Sequence, residues 1–207
     1  GYGGSEVADV DGDGNLDVAF SGHDCPPQLF LGDGAGNWEA HSDGIEMAGV
    51  SSDVALGDVD GDGVLEMATL GMFPSKGLLR VWDWSGRWTL RADLVDTEVF
   101  GTQVAMSDLD GDGKDELVAT TSDGPRVWFH EPNDPDAIGG FVMRSEGLPT
   151  SSVGGSDFSF DTLDIDGDGF KEIFATGAMS TKGERKPLWI FRYEDGVWSE
   201  WGGALPE

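Results

Sequence analysis

Four nine-residue segments concentrate the acidic chemistry of this chain. They are Asp9-Val10-Asp11-Gly12-Asp13-Gly14-Asn15-Leu16-Asp17, Asp58-Val59-Asp60-Gly61-Asp62-Gly63-Val64-Leu65-Glu66, Asp108-Leu109-Asp110-Gly111-Asp112-Gly113-Lys114-Asp115-Glu116 and Asp164-Ile165-Asp166-Gly167-Asp168-Gly169-Phe170-Lys171-Glu172. Carboxylates stand at the first, third, fifth and ninth positions, and glycines at the fourth and sixth. Alternate acids in a tight loop point inward together, and glycine permits the backbone conformations that wrap a chain around an ion. The seventh residue, Asn15, Val64, Lys114 or Phe170, varies freely, as expected where only its carbonyl oxygen is a ligand. The second residue is always apolar, a plug turned away from the ion into a core. Hard oxygen donors in this number suit calcium better than a softer metal. A loop of about five protein oxygens with room for water also suits calcium better than magnesium. The expected cofactor is therefore Ca2+, about four ions for four loops. Without the ion the crowded carboxylates repel one another, so metal binding and folding are expected to be coupled.

Other readings of the acids fit less well. An EF-hand needs a glutamate at its twelfth position and a helix after it. Here the twelfth residue is Phe20, Thr69, Ala119 or Ala175, and strand-like sequence follows. A polar turn explains one copy but not four at the same place in four repeats. Paired acids can hydrolyse glycosides, yet an enzyme usually places its chemistry once, so no catalytic residue is assigned. A diffusely acidic surface is excluded by clustering, since 17 of the 40 Asp and Glu residues fall within the four segments.

The balance of 40 acidic against 12 basic residues, a net charge of −28, repels nucleic acid and acidic membranes and favours cations. A single cysteine, Cys25, rules out an internal disulfide and a multi-thiolate zinc site. His23, His41 and His130 are too dispersed to suggest a metal site. No apolar run approaches the length of a membrane helix, so membrane insertion is not expected.

The elements that hold these loops repeat with them, at intervals of about 50 residues. Each loop is followed by a short apolar run: Val18-Ala19-Phe20, Met67-Ala68-Thr69-Leu70, Leu117-Val118-Ala119-Thr120 or Ile173-Phe174-Ala175-Thr176. Runs this short, ended by Gly or Ser-Asp-Gly, predict buried strands. Strand-like stretches such as Gln103-Val104-Ala105-Met106 and Asp157-Phe158-Ser159-Phe160 precede the loops. A third segment follows at Gln28–Leu31, Leu79–Trp82, Arg126–Phe129 and Leu188–Phe191, and an aromatic, Trp38, Trp88, Phe141 or Trp198, opens a fourth. Four strands per repeat with glycine-rich turns and no helical periodicity predict an all-β chain, a β-propeller of four-stranded antiparallel blades. The blades are expected at about 1–48, 49–97, 98–150 and 151–207 of one propeller domain or segment. The recurring aromatics are expected to pack between blades, whereas Trp84 and Trp201 have no counterparts and are freer to be exposed.

The repeats resemble the FG-GAP or VCBS-type repeats of integrin alpha-subunit propellers and their prokaryotic relatives over essentially the whole chain. The third copy shows it best, with Phe100-Gly101-Thr102-Gln103-Val104-Ala105 before its loop, and the fourth ends in Ala175-Thr176-Gly177-Ala178. The resemblance implies calcium-ligand roles for the first, third, fifth and ninth residues of every loop. It also implies that these loops stiffen one face while other loops bind protein or carbohydrate partners outside the cell. Lectins and polysaccharide lyases use propellers with similar loops, so fold is implied more firmly than activity.

The favoured function is thus an extracellular, cell-surface or periplasmic recognition or adhesion module for a protein or glycan. A carbohydrate-active enzyme using Asp53, Asp83 or Glu131, and a purely structural surface subunit, are the alternatives. Propellers of this kind commonly have more blades than four. Joining Ala204-Leu205-Pro206-Glu207 to Gly1-Tyr2-Gly3-Gly4-Ser5 recreates much of the internal junction from Gly147 to Ser156, so the cut falls on a blade boundary. A partial propeller that self-associates or takes blades from another chain is favoured over a closed four-bladed ring, because an open arc exposes strand edges and inter-blade surface.

Overall fold

A computed structural model describes residues 3–22, 25–46, 50–72, 79–94, 101–121, 124–149, 159–176, 180–181, 184–185 and 188–201. Phe100, Phe158, the Gly177-Ala178 pair and most of the proposed end-to-end junction lie outside these residues. The described chain contains strands, turns and bends and no helix.

Four antiparallel four-stranded sheets follow one another along the chain. The first blade is Ser5–Ala8 (β1), Asp17–Gly22 (β2), Cys25–Gly32 (β3) and Trp38–Ala40 (β4), in that spatial order. The second is Val50–Gly57 (β5), Glu66–Met72 (β6), Leu79–Trp84 (β7) and Trp88–Asp93 (β8). The third is Val104–Ser107 (β9), Glu116–Thr121 (β10), Gly124–His130 (β11) and Phe141–Met143 (β12). In the fourth, Ser159–Leu163 (β13) and Glu172–Thr176 (β14) are followed by a small hairpin of Ser180–Thr181 (β15) and Glu184–Arg185 (β16). Trp189–Glu194 (β17) and Val197–Glu200 (β18) then complete the sheet. Every acidic segment is the turn between the first and second strands of its blade, and the ninth residue opens the second strand. Pairs such as Val18 with Phe30 and Met67 with Trp82 place repeat-equivalent residues on one sheet face. The β15–β16 hairpin, a polar addition, was not anticipated.

The apolar core is three clusters, each lying between two adjacent blades. Val10, Ala19 and Leu29 of the first blade meet Val54, Met67 and Trp88 of the second. Val59, Ala68 and Val81 of the second meet Val104, Leu117 and Phe141 of the third. Leu109, Val118 and Val127 of the third meet Phe160, Ile173 and Trp198 of the fourth. Backbone ladders hold the strands within each sheet, and the apolar side chains are buried against the next one, the pattern of stacked repeats. Polar stitches reinforce the stack. Val104 N–H donates to Asp53 Oδ2 at 2.8 Å across one blade boundary. Gln103 accepts from Phe160 N–H at 3.0 Å and donates to its carbonyl at 2.8 Å across the next.

Two expectations about packing change at the ends of the stack. Trp88, Phe141 and Trp198 are buried between blades, but Trp38 of the first blade is 51% exposed. The apolar plugs Val10, Val59 and Leu109 are buried, but Ile165 of the fourth blade is 45% exposed. Both have the same cause: each residue faces the side of its blade that no other blade covers. Among the described residues, no cluster or hydrogen bond joins the first blade to the fourth, so the blades form an open arc.

Candidate metal sites in the acidic loops

Each loop is built by the same internal hydrogen bonds. The first carboxylate takes backbone N–H groups from the fourth and sixth residues, one on each oxygen. Gly12 and Gly14 donate to Asp9 at 2.9 Å each, and Gly61 and Gly63 donate to Asp58 at 2.7 and 2.9 Å. Gly111 and Gly113 donate to Asp108 at 2.8 and 3.1 Å, and Gly167 and Gly169 to Asp164 at 2.7 and 2.9 Å. All eight glycines have φ between 75° and 94°, the left-handed region that a side chain disfavours. The third carboxylate caps the N–H of the fifth residue, as Asp11 does for Asp13 at 3.1 Å. The fifth caps the seventh, as Asp168 does for Phe170 at 3.0 Å. These N–H bonds fix the carboxylates in place before any ion arrives.

The result is four groups of acids whose ligand oxygens lie within 4.8 Å of one another: Asp9, Asp11 and Asp13; Asp58, Asp60 and Asp62; Asp108, Asp110 and Glu116; Asp164, Asp166 and Asp168. A carboxylate oxygen that accepts one N–H still has a lone pair for a cation. Oxygen-only donors at this spacing fit a hard divalent ion. These four clusters can hold metal ions.

The ninth-position acids have a further role that spacing alone does not disclose. Each is buried and accepts the N–H of the second residue: Val10 to Asp17 at 2.7 Å, Val59 to Glu66 at 3.1 Å, Leu109 to Glu116 at 2.7 Å and Ile165 to Glu172 at 3.1 Å. They tie the loop to the strand below it. Asp17 also accepts from Gly32 N–H at 2.9 Å, so both its oxygens are held by backbone. Only Glu116 falls within a convergent group. Glu172 is fully buried, and its Oε1 has no hydrogen-bond partner. That oxygen lies 3.7 Å from the Arg192 guanidinium, an ion pair without a hydrogen bond, which offsets part of the cost of burying the charge. The seventh residues Asn15, Val64, Lys114 and Phe170 lie in the loops with their N–H groups capped, as the shared turn requires.

Burial leaves some of these acids short of positive charge. It pushes Glu116 up to about 8, and the nearby Asp110, Asp112 and Asp108 charges add to the effect, against the Leu109 N–H bond. It pushes Glu66 up to about 7 despite the Val59 N–H and the Arg91 guanidinium. Asp110 is raised for the same reason, burial first.

The loops differ in their basic neighbours. Arg91, from β8, reaches Asp60 at 2.7 Å and Glu66 at 3.6 Å and also pairs with Asp83. Arg192, from β17, lies 3.1 Å from Asp166 and 3.7 Å from Glu172 and also pairs with Asp168. Lys114 lies 3.3 Å from Asp112. Among the described residues, no lysine or arginine faces the first loop in this way. Loop-to-loop contacts run alongside. Asp115 N–H donates to the Asp58 carbonyl and Asp115 Oδ2 accepts from Asp58 N–H, each at 2.9 Å, joining the second and third loops.

The isolated acids weighed for catalysis all have structural partners. Asp53 holds Val104 N–H across a blade boundary, Asp83 pairs with Arg91, and Glu131 pairs with Arg144. Trp84 is partly buried with its ring 4.9 Å from that of Trp88, and Trp201 lies under the Arg192 guanidinium at 5.8 Å. Neither is a freely exposed platform.

Comparison with known proteins agrees with this geometry. No curated protein matches the chain in sequence. Among solved structures, an Agrocybe aegerita lectin, described for its specific recognition of non-reducing terminal N-acetylglucosamine, aligns with a TM-score of 0.58 at 15% identity. The alignment covers 99% of this chain and 52% of the lectin, so the chain spans about half the lectin's length. At that identity the likeness concerns the fold alone. A family model described as FG-GAP-like repeat matches residues 9–69 and 108–175, taking in all four acidic loops and the strands after them. With its repeated loops, four-stranded blades and inter-blade cores, this chain belongs to the FG-GAP-like repeat family.

Proposed function

We propose that the chain is a calcium-stabilised recognition module that binds a glycan or protein outside the cell, and that it acts by binding rather than catalysis. The observation that carries this reading is the fourfold recurrence of a pre-organised acidic loop, which is a scaffold pattern. Calcium is the preferred ion because the donors are oxygens on a glycine-rich loop, and extracellular calcium is abundant enough to saturate even weak sites. Ions in the loops would hold the first-to-second strand turns rigid and leave other surfaces free to vary. The lectin among the fold neighbours favours a glycan over a protein as the ligand.

The test is a glycan array probed with the calcium-loaded and the chelated chain. Binding to a defined set of glycans in calcium, lost with chelator, is the expected result. Silence across the array in both conditions would remove the glycan reading. Turnover of a polysaccharide, seen as new reducing ends or unsaturated product, would replace binding with catalysis.

A further inference from the structure

The three internal blade boundaries define what each side of a blade needs. On its trailing side, toward the next blade, a blade offers the second-position plug and the last residue of its first strand. On its leading side, toward the previous blade, it offers alternate first-strand residues and the aromatic that opens the fourth strand. Leu56, two residues before the second loop, is buried on the leading side of its blade, and Val10 is buried on the trailing side of the first. Glycines admit close approach where the sides meet: a Cβ on Gly57 would lie 2.5 Å from Met106 of the next blade.

The two ends of the arc present the same positions without a cover. On the leading side of the first blade, Val7, the counterpart of Leu56, is 52% exposed, and Trp38, the counterpart of Trp88, is 51% exposed. On the trailing side of the fourth blade, Leu163, the counterpart of Gly57, is 58% exposed, and Ile165, the counterpart of Val10, is 45% exposed. Stacked repeats that end in solvent carry polar caps on their outer faces. At Val7, Trp38, Leu163 and Ile165 the two faces are apolar instead, and these are positions that meet at the internal blade boundaries. The pairing also matches in kind, since Val7 would meet Leu163 where Met106 meets Gly57.

We propose that two copies of this chain associate head to tail, the Leu163 and Ile165 face of each receiving the Val7 and Trp38 face of the other. Two such contacts related by a twofold axis close the arc and leave no blade face open. With −28 charges on each copy, the contact should tighten with calcium or added salt.

Sedimentation velocity in calcium tests this on the 207-residue chain. The expected particle has twice the 22.0 kDa mass of the chain. Trp38→Asp and Ile165→Asp are each expected to give monomers. Mixed together they should recover a weaker dimer, because one intact leading face still meets one intact trailing face. Circular dichroism and cooperative melting in calcium establish that each variant is folded, and Val7→Lys and Leu163→Lys replace any that is not. A wild-type monomer overturns the proposal, as does a polymer that grows with concentration. A dimer that survives Ile165→Asp but not Trp38→Asp overturns it in favour of a face-to-face contact. A Trp38→Asp dimer that has lost glycan binding overturns it in favour of a sugar platform at Trp38.

Discussion

Removing metal should make the stability of this protein fall as pH rises, and Glu116 is where the effect is largest. The side chain is 3% exposed beside Asp108 and Asp110, and its only backbone donor is Leu109 N–H. In the metal-free fold its carboxyl is raised from 4.5 to about 8 by burial and then by the neighbouring acids. Between these two values the folded chain holds a proton that the unfolded chain has released. Stability therefore falls as pH rises through the window, by at most about 1.4 kcal/mol per pH unit. Across the whole window the loss is on the order of 5 kcal/mol, a large share of the roughly 5–15 kcal/mol that holds a domain together. Glu66, raised to about 7 mainly by burial, adds a smaller slope of the same sign that ends nearer neutrality. A bound divalent ion supplies the missing positive charge, so the calcium-loaded protein should show little slope over the same range.

Urea denaturation between pH 5 and 8, with chelator and with calcium, measures both slopes. Glu116→Gln keeps the shape and the Leu109 N–H acceptor but cannot ionise. It should flatten much of the metal-free slope, stabilise the chelated protein near pH 8 and weaken calcium binding at the third loop. A metal-free wild type whose stability is flat from pH 5 to 8, or a Glu116→Gln variant with the same slope as wild type, would refute the reasoning.

Two further outcomes follow from particular contacts. Arg91→Gln and Arg192→Gln remove a guanidinium from beside the second and fourth loops, so each should raise calcium affinity at its own loop by on the order of tenfold; unchanged affinities in calorimetric titration would count against the arginines as internal competitors. Asp53→Ala strands the Val104 N–H at a blade boundary and should cost about 1–3 kcal/mol in urea denaturation with calcium present, while Asp53→Asn, which keeps an acceptor, should cost less.

The acidic loops and the four-strand unit were legible because they rest on local rules. Gly12 and Gly14 read as left-handed positions because no other residue adopts that backbone as readily, and alternate acids read as convergent because the turn is short. The aromatics Trp88, Phe141 and Trp198 read as core because they recur in register. What was not legible depends on neighbours distant in sequence. Arg91 and Arg192 sit on different strands of their blades, the fourth and the third, so no shared offset from the loop marks them as partners of Asp60 and Asp166. Trp38 and Ile165 carry the same residue types as their buried counterparts, and only the order of the blades exposes them. The β15–β16 hairpin has too little apolar pattern to announce itself.

The second and ninth positions explain why metal and blade stacking should behave as one system. In the first three loops the plug at the second position enters the cluster shared with the next blade, while its N–H is held by the ninth-position carboxylate of the same loop. An ion that fixes the carboxylates on either side of the plug therefore also fixes the plug. Loss of a bound ion would leave the crowded carboxylates to repel one another at the point where two sheets meet, so destabilisation is expected to reach both blades at once. In the fourth loop the same bond holds Ile165, but its side chain has no blade to enter. The fourth loop is thus the one place where ion binding and blade stacking can be measured separately, until another blade face covers Ile165.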